Sequence, residues 1–144
     1  MPKHATPATP PAFDLINPPE LYDPSPNGYS HVARVQRGAR MVYCAGQGGD
    51  NVRGELSPDF SDQVRQAFDN VASALAAAQA TVNDVVKLTV LIVDHDHVRL
   101  AILAEAVKRV WGEGRGPTCT LIPVPRLALD GMLFEVEAIA AVND

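Results

Sequence analysis

Residues 85–93, Val85-Val86-Lys87-Leu88-Thr89-Val90-Leu91-Ile92-Val93, decide how this chain folds. Six of the nine are β-branched, which suits a pleated strand better than a helix. Apolar side chains stand at both odd and even positions, so both faces of the strand are apolar. Such a strand is ordinarily covered on both sides. Upstream, Val64, Phe68, Val71, Leu75 and Ala78 recur at steps of four, three, four and three. That spacing predicts a helix over 61–80, with Ser61 as N-cap and Asp62 in its first turn. Downstream, Asp94 and Asp96 offer N-caps for a second helix over 98–111. Its stripe is Leu100, Leu103, Val107 and Val110, and it stops at Gly112 and Gly114. Two more strands are expected at 118–124 and 132–142, the latter after a Leu129-Asp130-Gly131 turn. Ahead of the first helix, 30–35 and 40–46 read as partner strands of a hairpin turning at Gln36-Arg37-Gly38-Ala39. Gly46 to Asn51 reads as a loop.

The order is β-β-α-β-α-β-β, an α+β domain with a mixed sheet and two helices on one sheet face. A chain of 144 residues is one domain. Two helices cover one face and leave nothing for the other, so the surplus apolar face points to a partner subunit. Eight of the 12 prolines fall within the first 26 residues, which argues against helix or inner strand there. The domain reading is therefore a proline-rich N-terminal tail, 1–26, and a single folded unit, 27–144.

Composition excludes several classes. No apolar run reaches 18 residues, so no membrane span is expected, and the opening residues lack the apolar core of a secretory signal. The net charge is −5 with no Lys/Arg cluster, so no nucleic-acid partner is expected. Two cysteines, Cys44 and Cys119, are too few for a disulfide scaffold or a zinc cluster and fit reduced thiols in a cytoplasm.

Four features could carry chemistry. Asp94-His95-Asp96-His97 could ligate a metal, but no further ligand stands nearby in sequence, and a helix-capping turn is the preferred reading. No metal and no cofactor are expected. Gly46-Gln47-Gly48-Gly49 lacks both the P-loop ending and the dinucleotide-binding spacing; what survives is a strand end whose backbone a small ligand can approach. Glu135 and Glu137 lie two apart on one strand and so share a face. Burial would raise the pKa of either and suit it to general acid or base work, whereas a solvated edge or an ion pair would not. Cys119, in Pro117-Thr118-Cys119-Thr120-Leu121, has no neighbouring base in sequence and reads as a small buried strand residue, as does Cys44.

Five segments in order resemble the RidA (YjgF/Rid) superfamily. They are Gly28-Tyr29-Ser30-His31, Val42-Tyr43-Cys44-Ala45-Gly46-Gln47, Gln66-Ala67-Phe68-Asp69-Asn70-Val71, Asp84-Val85-Val86-Lys87-Leu88-Thr89-Val90 and Phe134-Glu135-Val136-Glu137-Ala138-Ile139-Ala140. The resemblance spans about 28–142. It implies a chorismate-mutase-like α+β fold assembled as a homotrimer, with sheets meeting in a central barrel, helices outside and three clefts between subunits. It also implies hydrolysis of enamines and imines to 2-keto acids and ammonia. Carried over residue by residue, Glu137 becomes the water-positioning carboxylate, Tyr29 a lining aromatic, and Ala45-Gly46 the backbone contact. In active members an arginine clamps the substrate carboxylate, within Pro-x-Arg-x. Here Cys119 occupies that position, and a thiol cannot form such a clamp. Arg115 and Arg126 are nearby guanidinium sources outside the motif. The resemblance is thus to a divergent branch lacking the substrate-binding arginine, with Cys119 and Thr120 shaping an altered pocket. Two readings follow: a hydrolase or deaminase of small metabolites, or a non-catalytic ligand-binding or sensing protein. The charge disfavours a third, a translation inhibitor or ribonuclease.

Overall fold

A computed structural model describes residues 9–144. In chain order the elements are β1 (Phe13–Ile16), β2 (Val32–Val35), β3 (Arg40–Gly48), α1 (Phe60–Ala77), β4 (Val85–Val93), α2 (His97–Trp111), β5 (Thr118–Val124) and β6 (Phe134–Val142). The main sheet runs β3-β6-β4-β5. β6 is antiparallel to both β3 and β4, and β4 is parallel to β5 through the α2 crossover. The α+β class, the mixed sheet and the helix pair agree with the sequence reading.

One face of the sheet packs on the helices. Leu88, Val90 and Ile92 of β4 and Phe134, Val136, Ala138 and Ala140 of β6 meet Val64, Phe68, Val71 and Leu75 of α1 and Leu103 and Val107 of α2. Phe68 sits edge-on to Trp111 at 5.7 Å between ring centroids, which ties the two helices together. The alternate residues of β4, namely Lys87, Thr89, Leu91 and Val93, lie on the other face and are half-buried.

Three expectations need correction. The strands 30–35 and 40–46 do not form a hairpin. The turn at 36–39 exists, with Gly38 at φ +83° and Ala39 N–H donating to the Gln36 carbonyl. Beyond it the strands part: β2 pairs with β1, and β3 pairs with β6. Nine-residue β3 meets equally long β6 along nearly its whole length, a ladder that four-residue β2 cannot match. The second correction is β1 itself. Among the prolines, Phe13-Asp14-Leu15-Ile16 is a proline-free run that pairs as an edge strand, where proline neighbours are tolerated. With Ala12 it brings Phe13 and Ala33 onto Val86, Ile139 and Ala141, covering one end of the second sheet face. Residues 1–8 of the expected tail lie outside the described residues. The third concerns boundaries. Asp59, not Ser61, caps α1 by accepting from Asp62 N–H at 2.9 Å. β3 continues to Gly48 rather than ending at Gly46. Asp96 caps α2 as expected, accepting from Arg99 N–H at 2.8 Å.

Candidate functional site

The β3–β6 ladder breaks between Cys44 and Gln47, leaving Ala45 and Gly46 outside the regular pairing. Such a bulge frees backbone groups and bends the strand. Gly46 sits directly against the Glu135 side chain: a Cβ there would stand 1.9 Å from Glu135 Oε1. No residue but glycine leaves that carboxylate its place. Gly46, Thr89, Leu91, Glu135 and Glu137 line a small cavity of 110 Å³ on the second sheet face. Glu135 is half-buried and Glu137 exposed. Neither takes part in the ion pairs found among the described residues. The register sets this face: Thr89 lies opposite Glu137 and Leu91 opposite Glu135. The sequence placed both glutamates on one face without choosing between them, and the resemblance assigned the water-positioning role to Glu137; Glu135 is the one that touches Gly46. The Gly46–Glu135 contact crosses two strands far apart in sequence, so no local signal could reveal it.

Loops behind this site are built by buried amides. Gln63 is fully buried, donates to the carbonyls of Ser57 and Gly131, and accepts from Leu133 N–H. It thereby fixes the approach to β6 just before Glu135. Gly49 packs on it, since a Cβ there would fall 2.5 Å from Gln63 Cα. Asn70 donates to the Gly48 and Asp50 carbonyls, 2.9 and 2.8 Å away, holding the end of β3. Gln63 was missed from sequence, because an amide on a helix gives no sign of burial until its partners are known.

Tyr29 and Cys119 meet on the opposite side of the sheet. Cys119 lies opposite Leu88 and packs toward the helices. With Tyr29, Leu103, Val107 and Leu121 it lines a second cavity of 180 Å³. The chain crossing that brings Tyr29 there is tight. Ser30 Oγ, buried, donates to the Gly116 carbonyl at 2.6 Å, and Ser30 N–H donates to the Pro117 carbonyl at 3.1 Å. Gly116 is obligatory there, because a Cβ would fall 1.7 Å from the Gly28 carbonyl oxygen. The Tyr29 hydroxyl bonds that of Tyr22, and its ring stands edge-on to His31 at 5.7 Å. Burial pushes the Cys119 thiol up to about 11, against a small opposing pull from Lys87, so the sulfur is protonated near neutrality. Burial likewise raises Cys44.

Within one chain, then, Gly46 and Glu137 come together, Tyr29 and Cys119 come together, and the two pairs occupy opposite sheet faces. Thr120 is exposed on the Glu137 face and accepts from Lys87 Nζ at 2.6 Å. Ala45 is exposed at the bulge. Arg115 is exposed in the loop after α2 and lines neither cavity. Arg126 is engaged locally, donating to Asp130 at 2.9 Å and to the Leu127 carbonyl at 3.2 Å. In the Asp94–His97 run, Asp96 serves as helix cap, and no group of three or more metal-ligating side chains gathers among the described residues. Among the described residues no helix is long and apolar enough to cross a membrane.

The sequence and the fold have counterparts in known proteins. A family model described as Endoribonuclease L-PSP matches residues 23–142. RutC family protein YjgH of Escherichia coli K12 is 31% identical over 108 residues, covering 75% of this chain and 80% of that protein. The crystal structure of YyfB from Yersinia pestis, described as of unknown function in the conserved Rid protein family, superposes with a TM-score of 0.86 at 32% identity, covering 91% of this chain and 99% of that one. The E. coli K12 protein named "Putative reactive intermediate deaminase TdcF" is 37% identical over 89 residues, covering 60% of this chain and 67% of that protein. A crystal structure of E. coli TdcF with bound serine has a TM-score of 0.64 at 32% identity, covering 76% and 85% of the two chains.

Proposed function

The chain belongs to the RidA/YjgF/L-PSP family, and on that premise we propose that it hydrolyses small enamine- or imine-type metabolites in a cleft shared between copies of itself. The observation that carries the reading is the Glu135 carboxylate set against Gly46 at a strand bulge. Such a site supplies a carboxylate to orient water and backbone groups to orient a planar substrate. TdcF, by its name and its bound serine, supports a small amino-acid-like ligand.

In the reaction, Glu135 accepts a proton from water as the oxygen adds to the imine carbon. Glu135 returns that proton to the carbinolamine nitrogen, and the carbon–nitrogen bond breaks as the new hydroxyl gives its proton to the departing nitrogen; a protonated imine and water thus yield a 2-oxo acid and ammonium, and nothing is oxidised or reduced. Glu137, one pleat along, holds the substrate nitrogen. Tyr29 and Cys119 form a wall contributed by a neighbouring copy, since within one chain they lie across the sheet from Glu135. That arrangement calls for a homotrimer with the second sheet faces turned inward around a barrel. The exposed Tyr43, Met41 and Ile122 on or beside that face support the assembly. Two free thiols suit a reducing cytoplasm.

The test is ammonia release from a freshly generated 2-imino acid. Glu135→Gln is expected to lower kcat about 100-fold or more, while Glu137→Gln acts chiefly on KM. Wild-type protein no faster than buffer would remove the hydrolase reading. A second reading, ligand binding without turnover, is favoured by one observation: Cys119 is a neutral thiol among Leu103, Val107 and Leu121, a wall for an apolar, uncharged group. It predicts thermal stabilisation by a metabolite that is not consumed.

A further inference from the structure

The two helices carry a groove that the proposed reaction does not use. Its volume is 710 Å³, and its lining comes from α1 and α2 alone. Ten of the 15 residues of α2 are apolar, whereas a helix covered on one side needs only about half. Leu103 and Val107 go to the sheet. Val98, Ala101, Ile102 and Ala106 line the groove beside Val64 of α1, and Val98 is 66% exposed. Ala101 and Ala106 are small, which leaves room for larger side chains from outside. Arg109 lies 12 residues beyond His97, about 18 Å along the helix or a little over three turns. Two cations flank this length. Arg109 is exposed and belongs to none of the ion pairs among the described residues. Arg65 is also exposed, and its ion pair with Asp62, at 3.5 Å, is of the solvated kind that holds a cation weakly. The carboxylate in the lining, Glu105, leans to Lys108 at 3.7 Å. On a chain of net charge −5, this strip is locally basic.

We propose that the groove between α1 and α2 docks an amphipathic α-helix of a partner protein, apolar on one side and acidic along its edges. Helix walls have no free backbone groups along their length, so the occupant must satisfy its own backbone hydrogen bonds, as a helix does and an extended peptide does not. The groove is open along its side, so an acyl chain lying in it would keep much of its surface in water. A helix covers the apolar floor with one side and shows its polar side to solvent. Carboxylates on the edges of that helix meet Arg65 and Arg109. The groove lies on the helix side of the sheet, away from the face proposed to meet other copies, so docking and assembly do not compete.

The experiment uses the full chain and a fluorescent, acetylated peptide of about 16 residues, long enough to hold a helix. The peptide is built of Leu, Ala and Glu, with leucines along one side and glutamates on both edges, and is used at trace concentration, where it is monomeric. A second peptide carries Lys in place of every Glu. Anisotropy reads their binding to wild type, to Val98→Asp and to the double variant Arg65→Glu, Arg109→Glu. All three positions are exposed, and melting temperature checks that each variant folds. Wild type is expected to bind the acidic peptide at least tenfold more tightly than the basic one. Val98→Asp should weaken the acidic peptide at least tenfold, and the double variant should reverse the preference. No saturable binding of the acidic peptide, equal binding of both peptides by wild type, no effect of Val98→Asp or an unreversed preference would each overturn the proposal. So would binding of dodecanoate or phosphatidylglycerol vesicles through Val98 and the arginines in place of the peptide, which would make the groove a lipid site. A lower light-scattering mass in the variants than in wild type would make it an interface between copies and would overturn the proposal as well.

Discussion

Two single positions govern the candidate site in opposite ways. At Gly46 the missing side chain matters, because any Cβ there would collide with the Glu135 carboxylate. That carboxylate is the end of a flexible side chain, so Gly46→Ala is expected to fold and to displace Glu135 by about an ångström. A misplacement of that size costs about 100-fold in rate, to be read as ammonia release beside an unchanged circular dichroism spectrum. At Cys119 the side chain is present but silenced by burial, its pKa raised from 9.0 to about 11. Below pH 9 the thiol is protonated in folded and unfolded chains alike. Between pH 9 and 11 only the unfolded chain gives up this proton, so the raised pKa makes stability fall as pH rises through that window. Denaturant titrations at pH 8 and pH 10.5 should show a smaller loss in Cys119→Ser than in wild type. Alkylation by iodoacetamide should still be accelerating at pH 10.

At the scale of elements, helix ends and one buried amide hold the strands that carry the site. Asp96 caps α2, so Asp96→Ala should cost about 1 kcal/mol, visible as a melting point about 3 °C lower. Gln63 is the larger anchor, with three hydrogen bonds to backbone groups of two separate loops. Gln63→Leu keeps the volume but strands those groups in the interior. The expected loss is about 3 kcal/mol or more, about 10 °C in melting temperature. The α1 stripe and the α2 cap were legible in the sequence because they depend on neighbours three or four residues away. The partners of Gln63 lie up to 70 residues off, beyond any periodicity.

For the molecule as a whole, the second sheet face is where the proposed assembly is tested. Leu91 lies on that face beside the Glu135 cavity. Leu91→Asp would place a charge where neighbouring copies meet and should convert a trimer to monomers in light scattering, with loss of ammonia release. A wild-type chain that scatters as a monomer would remove the shared cleft. The sequence alone determined the α+β class, both helices, the pairing of the two glutamates on one face and the absence of an arginine at position 119. These follow from periodicity, capping residues and motif order, which are short-range properties. Only the tertiary structure decided that 13–16 is a strand, that β3 joins β6 rather than β2, that Glu135 is the carboxylate against Gly46, and that Cys119 and Glu137 face opposite ways. Each of these rests on which strand lies beside which and in what register. Register is settled by competition among distant segments for backbone hydrogen bonds and buried area, and a one-residue shift would turn every side chain of a strand to the other face.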